Sequence, residues 1–275
     1  MPASILITTH AGRTNIVLNR PEVLNAVDTT MHFELEAAFD EFAADPDQRI
    51  CVIWGAGGRA FCAGSDLKHV TDMRAAGRDA ELVYPPHGYA GLIERFDLDK
   101  PVIAAVDGIA YGGGFEIVLA CDLAIATNRS RFALPEPRVG AVALGGGVHR
   151  LARQIGTKQA MDMILTAEPV SAEEAYRLGI VNAMVAPDDL EAAVDAKCAA
   201  ILKGAPRAIA ASKQMLMRGL DEPSLAAAIA GQDDYPAYAA WSASDEPREG
   251  PRAFAEKRLP PWLDGMSSDR SSTGN

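Results

Sequence analysis

The chain has 275 residues, 48% of them hydrophobic, a formal net charge of −11 and four cysteines. That is enough to bury one large core, or a core with a smaller appendage, and the longest apolar runs are strand-sized, far short of the roughly 20 residues of a membrane span. The acidic balance excludes wholesale binding to nucleic acid or to an anionic membrane surface, and is compatible with a local basic pocket for a phosphorylated ligand.

Cys51, Cys62, Cys121 and Cys198 are widely separated, follow no metal-ligand spacing and read as buried thiols, so no metal is expected. The opening "MPASILITTH" has neither a basic segment nor a long apolar stretch. No secretory signal is expected, and the cytoplasm is the expected compartment.

Along the chain, "SILITT" (4–9) and "TNIVLN" (14–19) read as paired strands joined by a turn at Ala11-Gly12. An amphipathic helix follows from about Thr29 to Ala44, with Phe33, Ala37 and Phe39 among its apolar positions. "CVIWGAG" (51–57), "KPVIAAVDG" (100–108) and "LAIAT" (123–127) read as buried strands, with a glycine-led helix between the last two. Buried strands alternating with helices imply a layered α/β core. Beyond Gly145 the strand signals thin to "VNAMV" (181–185), and helical periods take over at 147–154, 158–165, 190–202, 206–220 and 224–241. A boundary near residue 200 separates core from helical appendage, and "SSDRSSTGN" at the end has the composition of a disordered tail.

Three glycines, Gly112 to Gly114, stand where that buried helix begins, although glycine is the poorest helix former after proline. A dinucleotide site fails on spacing, because Ile117 occupies the position where G-x-G-x-x-G needs its last glycine. Two readings stay open: a close crossing of two chain segments, or exposed N–H donors at a helix entrance, where an oxygen gaining negative charge is stabilised. A second loop, "GGRAFCAGSDLKHV" (57–70), also follows a strand and carries the small residues Ala63, Gly64 and Ser65. Two such loops can clamp one carbonyl oxygen.

Glu116 falls in the first turn of the glycine-led helix, where acidic residues are common, but its neighbours "FEIVLACDLAIA" are apolar on every face. Burial there raises a carboxyl pKa towards neutrality. Glu136 stands between Pro135 and Pro137, which stiffen the backbone that presents it. Addition of water to a double bond needs one group to take a proton from water and one to give a proton to carbon.

The stretches "RPEVLNAVD" (20–28), "AFCAGSDLK" (60–68), "KPVIAAVDGIAYGGGFEIVLACDLAIA" (100–126), "FALPEPRVG" (132–140), "GGGVHRLARQIG" (145–156), "SAEEAYRLGIVN" (171–182) and "AFAEKR" (253–258) run in order over nearly the whole chain. In these the sequence resembles the crotonase superfamily of enoyl-CoA hydratases and isomerases. The resemblance implies a crotonase (ClpP-like) α/β fold of repeated ββα units. It also implies a core at 1–200 with the CoA and catalytic site, a helical trimerisation region at 201–265 and a tail at 266–275. It implies an acyl-CoA thioester as ligand, no cofactor beyond the CoA of the substrate, and a homotrimer or dimer of trimers. By the same resemblance the backbone N–H groups of Ser65 and Gly113 form an oxyanion hole, Glu116 is base towards water and Glu136 delivers the proton to carbon.

CoA contacts are expected, again by resemblance, from Asn25, Ala26, Ala63, Asp66, Leu67, Lys68, Phe254 and Lys257; His69 and His149 are not expected to act. Having both glutamates favours hydration over isomerisation. The blocks "GYAGLIERFDLDKPVIAAV", "GGGFEI" and "EGPRAFAEKR" look most like the crotonobetainyl-CoA hydratase (carnitinyl-CoA dehydratase) branch. Two departures stand against that: Ser65 replaces the branch's Trp and Leu144 its Asp. A trimethylammonium substrate calls for aromatic faces, for which Tyr84, Tyr89 and Tyr111 are the candidates.

Overall fold

The computed structural model describes residues 3–263; the tail expected at 266–275 lies outside the described residues. The chain opens with β1 (Ile5–His10) and β2 (Arg13–Leu18), antiparallel with His10 opposite Arg13. Their two-residue turn is Ala11 and Gly12, both at positive φ, the conformation that matches the twist of the flanking strands. Helix α1 (Thr29–Ala44) starts where Asp28 accepts a hydrogen bond from the N–H of Met31 at 2.9 Å.

The next elements repeat one pattern. Strand β3 (Ile50–Gly55) leads to β4 (Ala60–Cys62) and α2 (Leu67–Ala75); β5 (Val102–Val106) to β6 (Ile109–Tyr111) and α3 (Gly113–Ala120); β7 (Leu123–Thr127) to β8 (Arg131–Ala133) and α4 (Gly147–Gln154). In each repeat the first strand joins one sheet, the second another, and a helix follows. The larger sheet runs β1-β2-β3-β5-β7-β10 and the smaller β4-β6-β8-β9, where β9 is Val170–Ser171 and β10 is Ala183–Val185. All neighbours from β2 to β10 are parallel, as are β4, β6 and β8. Strand β5 is buried along its whole length and β3 and β7 along most of theirs, which is why these three read as continuous apolar runs. Two sheets with a strand–strand–helix unit repeated three times make the mixed α/β architecture of repeated ββα units that the resemblance implies. All four cysteines are buried thiols.

The remaining helices are α5 (Thr157–Thr166), α6 (Ala172–Leu178), α7 (Leu190–Leu202), α8 (Pro206–Gly219), α9 (Leu225–Gly231), α10 (Pro236–Ser242) and α11 (Glu246–Ala255). By contact the chain divides into two units. One holds the chain through Phe96 and Val102–Asp195; the other holds Asp97–Pro101 and the chain from Ala196 on. Within the second, α8 grips the short segment: Gln214 Nε2 donates to Asp99 Oδ2 at 2.9 Å and Lys213 Nζ to the carbonyl of Lys100 at 2.9 Å. No described helix is long and apolar enough to cross a membrane.

Two sequence expectations are corrected. In α1 the buried stripe is Met31, Leu35, Ala38, Phe39 and Phe42, whereas Phe33 and Ala37 are exposed; the helical repeat selects one set of positions, and a large aromatic is no guide to its phase. The helix expected over 224–241 is broken at Tyr235, whose extended backbone (φ −76°, ψ 133°) precedes Pro236, a residue without an N–H to continue the ladder.

Candidate active site

The parallel order of β4, β6 and β8 sends three loops out of one edge of the smaller sheet, and each carries a candidate group: Ser65 after β4, Gly113 after β6 and Glu136 after β8. Crevices beyond the carboxyl ends of parallel strands are where α/β folds hold ligands. The first two loops touch. A methyl on Gly64 would lie 2.9 Å from the carbonyl oxygen of Tyr111 and 3.1 Å from the nitrogen of Gly113.

Peptide geometry then aims the donors. The carbonyl of Gly64 accepts from the N–H of Val27 at 2.8 Å and the N–H of Asp66 donates to Val27 at 2.9 Å. Because a trans peptide points its N–H opposite to its C=O, the Ser65 N–H faces away from Val27. Likewise the carbonyl of Gly112 accepts from the N–H groups of Phe115 and Glu116, so the Gly113 N–H points out of the helix entrance. Among the described residues neither the Ser65 nor the Gly113 N–H has an acceptor.

The glycines at 112–114 are required by what packs on them. Gly112 sits at φ 53° with a methyl position 2.9 Å from Glu136 Oε1, and one on Gly114 would lie 2.1 Å from the carbonyl oxygen of Cys62. The glycines thus allow a close crossing of two segments at a helix entrance whose first N–H points outward.

Glu116 is 4% exposed, and its Oε1 accepts the N–H of Gly147 at 2.9 Å. That N–H is the first of α4, so the carboxylate is seated at a second helix entrance, of favourable polarity for a negative charge. Burial, and after it the charge of Glu136, push the Glu116 carboxyl up to about 7, against the N–H groups of Gly147 and Gly145 and the positive charge of Arg150. Glu136 begins a 3-10 turn, Glu136–Val139, is raised from the usual carboxylate range by burial, and has its Oε2 buried without a hydrogen-bond partner. The arrangement can hold an oxygen gaining negative charge on two N–H donors and move protons through two coupled carboxyls.

The residues expected to meet CoA divide. Asn25 is fully buried at φ 56°; its Nδ2 donates to the carbonyls of Ala56 and Ala60, and its Oδ1 accepts the N–H of Arg20. Ala26 is buried, with its carbonyl accepting from Arg20, and Asp66 pairs with Arg20 at 2.9 Å and caps α2 through the N–H of His69. The side chains of Asn25 and Asp66 are thus spent on the scaffold. Ala63 is half-buried, Leu67 and Lys68 are exposed, and Phe254 and Lys257 are exposed in the second unit.

Three contributors escaped sequence reasoning: Gly145, whose added methyl would lie 2.3 Å from Glu116 Oε2; Arg150, beside Glu116; and the position of Tyr89, whose ring lies on Gly113. The available signal for the first was a second triple glycine at a helix entrance.

The α/β core thus brings two acceptor-free backbone donors, a buried carboxyl and a half-buried one to the ends of its parallel strands. The chain belongs to the enoyl-CoA hydratase/isomerase family, whose model matches residues 8–265. It is 40% identical over 265 residues to a carnitinyl-CoA dehydratase of Salmonella arizonae, covering 95% of this chain and 99% of that one. It is 39% identical over 266 residues to the carnitinyl-CoA dehydratase of Proteus mirabilis, with the same coverage. Among solved structures, the enoyl-CoA hydratase from Mycobacterium tuberculosis superposes with a TM-score of 0.84 at 34% identity, over 94% of this chain and 97% of that one.

Proposed function

We propose that the protein is a cofactor-independent hydro-lyase that adds water reversibly, in the syn sense, across a 2-enoyl-CoA thioester. The thioester oxygen accepts from the N–H groups of Ser65 and Gly113. Glu116, as carboxylate, takes a proton from water as its oxygen bonds to C3; the displaced electron pair moves to the thioester oxygen, and Glu136, protonated, returns a proton to C2 as the enolate collapses. One proton enters the pair and one leaves, so the next turnover needs only its transfer back. Raised pKa values on both groups suit the pair to share one proton near neutrality. The observation that supports this reading is two acceptor-free N–H donors on loops from the same strand ends as a buried and a half-buried carboxyl that interact electrostatically.

CoA lies along Ala63, Leu67 and Lys68, and Asn25, Ala26 and Asp66 serve by holding that rim in place; Phe254 and Lys257, exposed in the second unit, are assigned to the CoA of a neighbouring subunit. The assembly is a homotrimer or a dimer of trimers. Exposed Leu216, Leu220, Leu225 and Ile229 in the second unit fit self-association.

A second reading concerns the acyl group. Tyr84, 61% exposed, stands 6.1 Å from Tyr89 between ring centroids and offers an aromatic face to a cationic chain end. Together with the carnitinyl-CoA dehydratase relatives, this supports dehydration of a trimethylammonium-bearing 3-hydroxyacyl-CoA. Mass spectrometry of the protein with crotonyl-CoA, crotonobetainyl-CoA and longer 2-enoyl-CoA thioesters tests both readings. A gain of one water that disappears in Glu136→Gln is the expected result and identifies the acyl group. An equally fast gain in Glu136→Gln overturns the assignment.

A further inference from the structure

Tyr89 opens a short 3-10 turn, Tyr89–Gly91, and is 5% exposed. Its ring lies across Gly113, where an added methyl would come within 2.3 Å of Cζ and 2.4 Å of the hydroxyl oxygen. The hydroxyl therefore stands against Gly113, the first residue of α3, with the Ser65 side chain next to it and Glu116 within electrostatic reach. The Ser65 side chain interacts with it from outside hydrogen-bond geometry, and no described group bonds it within that geometry. A buried hydroxyl in that state costs about 1–3 kcal/mol, and such groups are few in native proteins.

The chain holds the hydroxyl there by several devices. Gly88, Ala90 and Gly91 all sit at positive φ, and for Ala90 (φ 56°) that conformation is strained. Both flanks of Tyr89 are fastened to α1: Ala90 N–H donates to His32 Nδ1 at 2.9 Å, His87 Nδ1 meets Glu36 Oε1 at 2.6 Å, and Arg95 bonds both Asp40 at 2.7 Å and the carbonyl of Gly91 at 2.9 Å. The His32 ring stands edge-on to Tyr89, centroids 4.6 Å apart. A group locked by its supporting residues and left without a partner is organised for a ligand atom.

We propose that the Tyr89 hydroxyl is a third donor to the thioester oxygen, completing with the Ser65 and Gly113 N–H groups the site where the enolate charge develops. The identity of that oxygen rests on the hydratase reading above. Burial first, and then the surrounding Cys62 and Glu116, keep the phenol well above its usual pKa, so it donates a hydrogen bond and retains its proton throughout. No bond at Tyr89 is made or broken.

Tyr89→Phe keeps the ring against Gly113, His32 and Tyr84 and removes only the oxygen. Because loss of one donor of this kind costs about 100- to 1000-fold, and two backbone donors remain, kcat/KM is expected to fall about 10- to 100-fold, mostly in kcat. The folding midpoint should stay level or rise, since an unpartnered buried oxygen is gone, an outcome that a merely structural tyrosine does not give. The second measurement is the infrared carbonyl stretch of carbonyl-13C-labelled crotonyl-CoA bound to Glu136→Gln, with and without Tyr89→Phe. A shift back towards the free thioester value on losing the hydroxyl is expected. Activity of Tyr89→Phe within twofold of the parent, or an unmoved carbonyl band, overturns the proposal. If the parent hydrates none of the thioesters tested, the hydratase reading falls, and the carbonyl band alone still decides whether Tyr89 touches the thioester oxygen.

Discussion

The two triple glycines, Gly112–Gly114 and Gly145–Gly147, look alike in sequence and each opens a short helix, but they do opposite things with the N–H groups they expose. At α3 the first N–H has no acceptor in the described chain and faces out; at α4 it is occupied by the carboxylate of Glu116. On the proposed mechanism the first entrance is a donor for a ligand and the second a seat for the group that takes a proton from water. What stands opposite a helix entrance, rather than the glycines, decides its use.

The largest effect comes from removing the acid that faces the open entrance. Glu136→Gln keeps shape and loses the proton, and turnover of an enoyl-CoA is expected to fall about 100- to 10,000-fold, with thioester binding by calorimetry little changed. Activity within tenfold of the parent contradicts the role given to it.

Adding a methyl to each triple glycine separates the entrances. On Gly114 it meets backbone, the Cys62 carbonyl at 2.1 Å, which cannot yield cheaply; about 1–3 kcal/mol or more of stability should be lost. On Gly145 it meets the end of the Glu116 side chain at 2.3 Å, which can swing aside. Gly145→Ala should therefore fold nearly as the parent does while losing about 100-fold in kcat, the cost of a catalytic group misplaced by about 1 Å. Thermal midpoints and kcat measured together on both variants give the contrast; equal losses of stability erase it.

Glu116 pays for its seat with a pH dependence. Its folded carboxyl is raised from 4.5 to about 7, so between those values the folded chain binds more protons than the unfolded one, and stability falls as pH rises through that window. Glu116→Gln is expected to be more stable than the parent by up to about 3 kcal/mol at pH 8, with the gap shrinking at pH 5.5. Urea unfolding at both values checks it; a gap that does not depend on pH shows the carboxyl to be ordinary in the folded chain.

Much of the frame was legible in the sequence because it follows local rules. Helix α1 spans the expected 29–44, and the buried strands β3, β5 and β7 stand out as unbroken apolar runs. Strands β4, β6 and β8, three residues each, carry no period to read, although their parallel order is what gathers Ser65, Gly113 and Glu136. Glycine and glutamate were visible as chemistry out of place. Tyr89 was visible only as an aromatic, since its burial depends on a clip to α1 formed by pairs of residues 51 to 59 positions apart. Asn25 misled for the same reason: its partners, Ala56 and Ala60, are brought to it by the fold.

The smallest expected effect probes how the occupied entrance is tuned. Arg150 lies one turn into α4, donates through Nη2 to the carbonyl of Ile93 at 2.5 Å, and stacks on Phe96 at 5.8 Å from the ring centre. Its charge lowers the Glu116 pKa against the burial that raises it. Arg150→Gln removes that charge, so Glu116 should hold its proton to a higher pH. A base must be deprotonated to accept from water, so the acid limb of kcat for hydration, falling below about pH 7 in the parent, should move to higher pH in this variant. Arg150→Lys, which keeps a positive charge, should leave the limb nearer its original place. If both variants move the limb equally, Arg150 acts by holding the Ile93 carbonyl and shaping the helix entrance, and its charge has no part in setting when Glu116 can work.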